Sequence, residues 1–225
     1  MRASRIFKRA ALSVALFVCL TAPLHAGPAQ DRALIEAAES GDVIVTRKLL
    51  AEGASVKARD SAGRTALLAA THANRVEVAR ILIAAGADVN AKDNIEDSAF
   101  LYAGAEGRNE ILKMTLAAGA DLKSTNRYGG TALIPASHHG HPETVKILLG
   151  TTIDKDHVNK LGWTALLEAV ILGDGGPVHT GIVRDLVAAG AKVNLADRDG
   201  VTPLAHARRR GFAEMTGILE AAGGR

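Results

Sequence analysis

Cysteine and aromatic residues are scarce in this chain. Among its 225 residues there is one cysteine, and aromatic side chains make up 3%. A single cysteine excludes an intramolecular disulfide framework and a zinc site built on paired cysteines. Because large aromatic side chains are few, alanine and leucine must fill most of the core. The six prolines and 23 glycines are too few for a disordered or collagen-like chain.

Motifs that carry catalysis are also missing. The sequence has no nucleophile elbow, no phosphate-binding loop and no His-Glu-x-x-His string. Glutamate and histidine residues are scattered over the chain instead of forming one such motif. We therefore expect no enzymatic activity, no cofactor and no metal.

The first 26 residues have the layout of a secretory signal peptide. They begin with four basic residues, Arg2, Arg5, Lys8 and Arg9. An uncharged apolar run follows from Ala10 to Leu20, and Ala26 offers a small residue for cleavage. The run is too short for a comfortable membrane span. We predict a signal peptide over 1–26 and a periplasmic or secreted protein, with cleavage after Ala29 or an uncleaved anchor as alternatives.

The basic character of the chain belongs to this leader. The formal net charge is +3, and the leader contributes four positive charges. A chain that begins at residue 27 has a net charge of about −1, which gives no argument for nucleic-acid binding. Cys19 also lies in the leader, and Val18 before it argues against lipidation. We expect no nucleic-acid partner and no membrane contact after cleavage.

A repeat fills the remainder of the chain. A Thr or Ser followed by Ala or Pro and then an apolar residue returns at 65, 98, 131, 164 and 202, with steps of 33, 33, 33 and 38 residues. Nine residues after each Thr or Ser stands a second marker, which is Asn74, Gly107, Gly140, Gly173 or Gly211. Gly41 holds the same place in an earlier copy, so the chain contains six copies.

Each marker has a physical role. The Thr hydroxyl can cap a helix by accepting a free backbone N–H. The Gly nine residues later suits a helix end, where a left-handed conformation is needed. A second helix follows, with Val78, Ile81 and Leu82 at helical spacing in one copy. One unit is a helix, a turn, a second helix and a hairpin loop, and such units must stack to bury their apolar faces.

These features resemble the ankyrin repeat family. The resemblance rests on the 33-residue period, on Thr202-Pro203-Leu204 and on the Gly-Ala-Asp-Val-Asn string at 86–90. The amino-acid sequence from 126 to 176 is similar to that of a bacterial subgroup of this family. The resemblance implies an all-α repeat solenoid with β-hairpin loops, about six repeats and a concave protein-binding face. The domain spans 27–225, with repeats at about 31–60, 61–93, 94–126, 127–159, 160–197 and 198–225.

The resemblance also indicates which residues face the concave side. The predicted partner-binding residues are Tyr102, Tyr128, His138, His139, Trp163 and Glu168. Trp163 is the only tryptophan and would be a natural interface anchor. Two alternatives stay open: Trp163 packs over a neighbouring hairpin, and Glu168 forms a local ion pair or accepts a hydrogen bond from an N–H group.

Two departures from the repeat call for interpretation. His138, His139 and His141 form a cluster, but their spacing does not place them on one helix face, so a metal site is disfavoured. An insertion of five residues near 172–178 lengthens the turn between the two helices of the fifth repeat.

The sequence therefore predicts a monomeric, non-catalytic module that presents a rigid concave surface to another protein. One alternative is a stabilising accessory factor for an exported enzyme. A less favoured alternative is a metal or small-molecule binder.

Overall fold

Twelve helices make up the part of the chain that the computed structural model describes, residues 27–225. The predicted signal peptide, with Cys19, lies outside these residues. The first helices of the six repeats are α1 (Pro28–Ser40), α3 (Ala66–His72), α5 (Ala99–Ala105), α7 (Leu133–His138), α9 (Ala165–Ile171) and α11 (Pro203–Arg209). The second helices are α2 (Val43–Ala51), α4 (Val76–Ala84), α6 (Asn109–Ala117), α8 (Pro142–Leu149), α10 (Pro177–Ala188) and α12 (Ala213–Ala221). The predicted all-helical solenoid is confirmed.

The helices form two parallel rows. Each first helix packs against the first helix of the next repeat, and the second helices stack in the same order. A small residue at one position of the first helix allows this close approach. The residue five positions after the Thr or Ser is a fully buried alanine in five repeats: Ala70, Ala103, Ala136, Ala169 and Ala207. None of the helices in residues 27–225 is long and apolar enough to cross a membrane.

The loops between repeats are tight turns, and no strand is formed in residues 27–225. An aspartate or asparagine begins each turn and donates its backbone N–H to the carbonyl four residues later. In return, the backbone N–H of that later residue donates to the side-chain oxygen of the aspartate or asparagine, at 2.8 Å from Arg64 to Asp60. The residues that do this are Asp60, Asp93, Asn126, Asn159 and Asp197.

The predicted helix caps are present at four of five positions. Thr65, Ser98, Thr164 and Thr202 each accept a backbone N–H with the side-chain oxygen. Thr131 was predicted to do the same, and this is wrong. Its hydroxyl is buried and has no partner in the described residues.

Pro135 explains the missing cap at Thr131. In the other repeats the residue four positions after the cap donates its N–H to the cap carbonyl, as Ala69 does to Thr65. Proline has no N–H to donate. Ile134 therefore bonds to the Thr131 carbonyl, at 3.1 Å, and the hydroxyl of Thr131 loses its donor.

The insertion in the fifth repeat lengthens a helix as well as a turn. Helix α10 has 12 residues, against nine in α4 and α6 and eight in α8. Gly173 was predicted to take the left-handed conformation, but Gly175 takes it instead, with φ 77°. The insertion moves the left-handed residue two positions along the chain. A Cβ at Gly175 would lie 2.4 Å from Phe212 Cδ1, so this loop rests on the last repeat.

Candidate binding groove

A cavity of about 560 Å³ opens between the turns and the first helices of the third, fourth and fifth repeats. We call it the central cavity. Five of the six predicted partner-binding residues line it: Tyr102, Tyr128, His138, His139 and Glu168. The cavity also includes residues outside the predicted partner-binding set, namely Ile95, Asp97, Glu106, Asn159, Leu161 and Leu172.

An apolar rim lies along the turn side of the central cavity. It consists of Ile95, Tyr128 and Leu161, which are 48%, 53% and 49% exposed. Each is the third residue of its turn, so the three recur at the 33-residue period. This spacing is the signal by which Ile95 and Leu161 could have been found from the sequence. Exposed apolar groups in a row are typical of an interaction surface.

Glu168 is the most buried of the charged residues that line the cavity, and we call its position the floor. It stands on α9 and is 5% exposed. Asn159 Nδ2 donates a hydrogen bond of 2.9 Å to Glu168 Oε1. The side-chain oxygen of Asn159 is already held by the backbone N–H groups of Leu161 and Trp163, at 2.9 and 3.0 Å. The turn therefore fixes the Asn159 amide so that its NH₂ group faces Glu168.

The second carboxylate oxygen of Glu168 is free of such a bond. Oε2 lies 3.6 Å from His138 Nδ1, which is beyond good hydrogen-bond geometry. Burial raises the pKa of Glu168 to about 7. Burial also lowers the pKa of His138 below its usual value. Near neutral pH the cavity thus holds a carboxyl group that exchanges its proton beside a neutral imidazole.

The sixth repeat has a related contact between its turn and its first helix. Asp197 Oδ2 lies 2.6 Å from His206 Nε2, and these two residues have the same nine-residue separation as Asn159 and Glu168. Although burial acts in the opposite direction, hydrogen bonds from the Val201 backbone and from His206 lower the pKa of Asp197. In the fifth and sixth repeats, the polar residue at the fourth position of the first helix is therefore held by the preceding turn.

The other predicted residues on α5 and α7 have local partners. The Tyr102 ring stacks on His72, with 3.8 Å between ring centroids. His139 Nδ1 lies 2.8 Å from the Ala105 carbonyl oxygen and 3.8 Å from Glu106 Oε1. These contacts tie neighbouring repeats together and fix the shape of the cavity wall.

Tyr128 stands on the rim beside a cation. The Arg127 guanidinium lies 4.7 Å from the centroid of the Tyr128 ring. A cation over the ring face is attracted by the ring quadrupole. Arg127 therefore helps to hold the exposed ring in place at the opening of the cavity.

Trp163 is not among the residues that line the central cavity. It ends the turn that Asn159 begins and is partly buried. The turn holds its backbone N–H, and the side chain lies outside the set that surrounds Glu168. The structure therefore separates Trp163 from the other five predicted residues.

The histidine cluster makes backbone and packing contacts. His138 and His139 are tilted by 54° with ring centroids 4.8 Å apart. His141 packs on Gly107 of the preceding repeat, where a Cβ would lie 2.9 Å from its Nδ1. In residues 27–225 no group of three or more His, Cys, Asp and Glu side chains is arranged to hold a metal ion.

The comparison with protein families agrees with this architecture. The family described as Ankyrin repeats (3 copies) matches residues 9–93 and 100–197. The match covers well over half of the chain, and the chain belongs to the ankyrin repeat family. Ankyrin repeats are protein-interaction modules, and no catalytic family is indicated.

Individual relatives show the same relationship. An ankyrin repeat domain from Acinetobacter baumannii AYE is 55% identical, with a TM-score of 0.84 over 87% of this chain and 100% of that one. A second solved ankyrin repeat protein is 42% identical, with a TM-score of 0.81 over 84% and 96% of the two chains. The putative ankyrin repeat protein YahD of Escherichia coli K12 is 48% identical over 56 residues. That alignment spans 25% of this chain and 28% of the relative, well under two thirds of its length.

Proposed function

We propose that this protein is a non-catalytic binding module that holds another protein in the central cavity and against its rim. The row of exposed apolar side chains formed by Ile95, Tyr128 and Leu161 carries this proposal. Aromatic and apolar anchors over a preformed cavity are typical of interface hot spots. The turns and stacked helices already hold these residues in place, so a partner would bind with little ordering cost.

Site-specific photo-cross-linking in the native host tests the proposal. A photoreactive residue replaces Leu161 on the rim or, as a matched control, Ile44 on α2, which is 80% exposed and far from the cavity in sequence. We expect a discrete protein adduct at position 161 that is absent at position 44. The partner identified in the adduct is then purified and its affinity measured directly.

Variants of the rim complete this test. Tyr128→Ala should weaken binding of the purified partner at least about tenfold, whereas Ile44→Ala should leave it unchanged. The same adducts at both positions, no adduct at position 161, or full affinity in Tyr128→Ala would contradict the proposal. Circular dichroism of both variants checks that the fold is retained.

We further propose that the protein works outside the cytoplasm, as a periplasmic or secreted monomer. The basic and apolar pattern of residues 1–26 supports this proposal. Intact-mass measurement of the protein from fractionated native cells should find a chain that begins at Gly27 in the envelope or medium. A chain that retains Met1 and stays in the cytosol would contradict export. Sedimentation of the same material tests the monomeric state.

A further inference from the structure

We propose that the central cavity receives a lysine side chain of the protein partner, with the ammonium group at Glu168 Oε2 and the methylene stem along the apolar rim. This inference rests on the proposed function, since it names the chemistry by which the same cavity recognises its partner. The proposed ligand is a lysine side chain and the proposed binding atom is Glu168 Oε2. Each can be tested separately from partner binding.

The free oxygen of Glu168 defines where a cation would bind. Asn159 occupies Oε1 at 2.9 Å, while Oε2 accepts no hydrogen bond in residues 27–225. A carboxylate that is 5% exposed and has a hydrogen bond at only one oxygen carries a desolvation cost, which a second donor would offset. Because the cavity is open and Glu168 lines it, a ligand can supply this donor.

The single free oxygen favours lysine over arginine. A guanidinium group binds a carboxylate best through two parallel N–H bonds to both oxygens. Asn159 already holds one oxygen of Glu168, so this bidentate arrangement would break an existing bond. An ammonium group is a point charge that needs only one oxygen.

The shape of the cavity also suits a lysine. Charge lies at the floor, and the rim residues Ile95, Tyr128 and Leu161 are apolar and about half exposed. A lysine side chain has the same order, with an apolar stem and a charged end. A short cationic group would leave the rim without contact, and an apolar side chain would leave Glu168 without a partner.

Negative groups predominate among the charged residues that line the cavity. Asp97 and Glu106 also line the cavity, against one permanent cation among its lining residues, Arg127. Arg127 lies over the exposed ring of Tyr128. A cationic ligand is therefore electrostatically complementary to the cavity.

The histidines near Glu168 do not take the place of such a ligand. On α7, the pKa of His138 is lowered by burial, and His139, which follows α7, is bonded to the Ala105 carbonyl. On α10, His179 lies 3.1 Å from Asp174 Oδ1. Each of these rings is either neutral near pH 7 or engaged elsewhere.

Helix α11 packs on the other side of α9. Two basic residues on α11 and just after it already have partners. His206 is paired with Asp197 at 2.6 Å. Arg210 donates to the Ile171 carbonyl. In residues 27–225, no lysine or arginine on an element that packs against α9 is paired with Glu168 Oε2.

Binding should be linked to a proton. The ammonium group pairs with the carboxylate, so the proton of a neutral Glu168 carboxyl passes to solvent when lysine binds. Because burial places the pKa of Glu168 at about 7, the carboxylate is the minor form at pH 6 and the major form at pH 8. Only the competent fraction binds, so affinity should be about tenfold weaker at pH 6 than at pH 8.

The probe is N-acetyl-Leu-Lys-Leu amide, which has one ammonium group and no free terminus. Its control is the same peptide with the lysine acetylated at its side-chain nitrogen Nζ, which keeps the methylene stem and lacks the charge. Both are titrated into the full protein up to about 5 mM and followed by amide chemical shifts in NMR. The variant Glu168→Gln removes the charge on the floor, and Glu143→Gln on α8 is the matched exposed control.

We expect the lysine peptide to bind at least about tenfold more tightly than the acetyl-lysine peptide. Glu168→Gln should abolish this preference and its pH dependence, and Glu143→Gln should preserve both. Equal binding of the two peptides, no binding of either, or an unchanged preference in Glu168→Gln would overturn the inference. A cross-linked partner at position 161 together with any of these results would overturn lysine recognition and leave the proposed function standing.

Discussion

At the scale of single residues, Pro135 and Thr131 show how one change alters a repeated bond. Every other Thr or Ser cap in the described chain accepts a backbone N–H, and only Thr131 does not. A buried hydroxyl without a partner carries a desolvation cost and gives nothing in return. The hydroxyl of Thr131 is therefore dispensable for stability, although the sequence around it matches the repeat.

Replacing each threonine by valine separates the two cases. Thr164→Val should lower the free energy of unfolding by about 1 kcal/mol, since it removes a working cap. Thr131→Val should leave stability within about 0.5 kcal/mol of the parent or raise it. Urea-induced unfolding measures both. An equal loss in the two variants would mean that the Thr131 hydroxyl does bond in solution.

The raised pKa of Glu168 predicts how the free energy of unfolding depends on pH. Burial raises its pKa to about 7, so the folded protein prefers the neutral carboxyl. Its stabilising contribution is complete below the pKa of the unfolded chain and is lost as pH rises through about 7. The parent should therefore lose stability relative to Glu168→Gln between pH 5 and pH 8, by an amount on the order of 1 to 3 kcal/mol.

The comparison between these two proteins isolates the carboxyl, because glutamine copies its neutral form. Groups far from Glu168 titrate equally in both and cancel in the difference. Urea-induced unfolding at pH 5, 6, 7 and 8 gives this difference directly. A difference that stays constant over the range would show that Glu168 ionises in the fold as it does in the unfolded chain.

At the scale of elements, the insertion forms a packed structure instead of a free loop. Part of it adds a turn to α10, and the rest rests on Phe212 through Gly175. Phe212 is itself held by the Arg210 guanidinium, 4.6 Å from its ring centroid. The extra residues therefore join the fifth repeat to the sixth.

Two glycine substitutions measure this contact. Gly175 and Gly211 both have positive φ, 77° and 70°, so alanine strains the backbone at either site by about 1 kcal/mol. Only at Gly175 would the new Cβ collide with Phe212, at 2.4 Å, since nothing lies within 4 Å at Gly211. Gly175→Ala should thus lower the thermal midpoint clearly more than Gly211→Ala. Equal shifts would place the loop away from Phe212 in solution.

The limits of sequence reasoning appear at the same scale. The 33-residue period predicted the helix pairs, because caps and apolar positions recur with it. It could not predict the contact between Asn159 and Glu168, since that contact depends on how one turn orients an amide. Nor could it predict that Trp163 lies outside the cavity while Leu161, two residues earlier, lines it. Periodicity gives the position of a residue in a repeat but not the direction of its side chain.

At the scale of the whole molecule, the stack has a middle and two ends. Helices α5, α7 and α9 have neighbours on both sides, and α9 has six buried residues among its seven. The second helices at the ends, α2 and α12, bury only two residues each, Thr46 and Leu49 in one and Met215 and Leu219 in the other. In a repeat protein, local stability follows the number of neighbouring interfaces.

Hydrogen exchange followed by mass spectrometry should therefore find a gradient along the chain. Amides in α2 and α12 should exchange at least about tenfold faster than those in α5, α7 and α9, because end repeats open without disturbing the centre. The central cavity lies between the slowest helices, so its shape would persist while the ends open. Uniform exchange rates in all twelve helices would instead show that the stack opens as one cooperative unit, and the cavity would then be lost with every opening. The gradient thus decides whether the repeats that carry the rim and Glu168 stay preorganised when the ends of the molecule fluctuate.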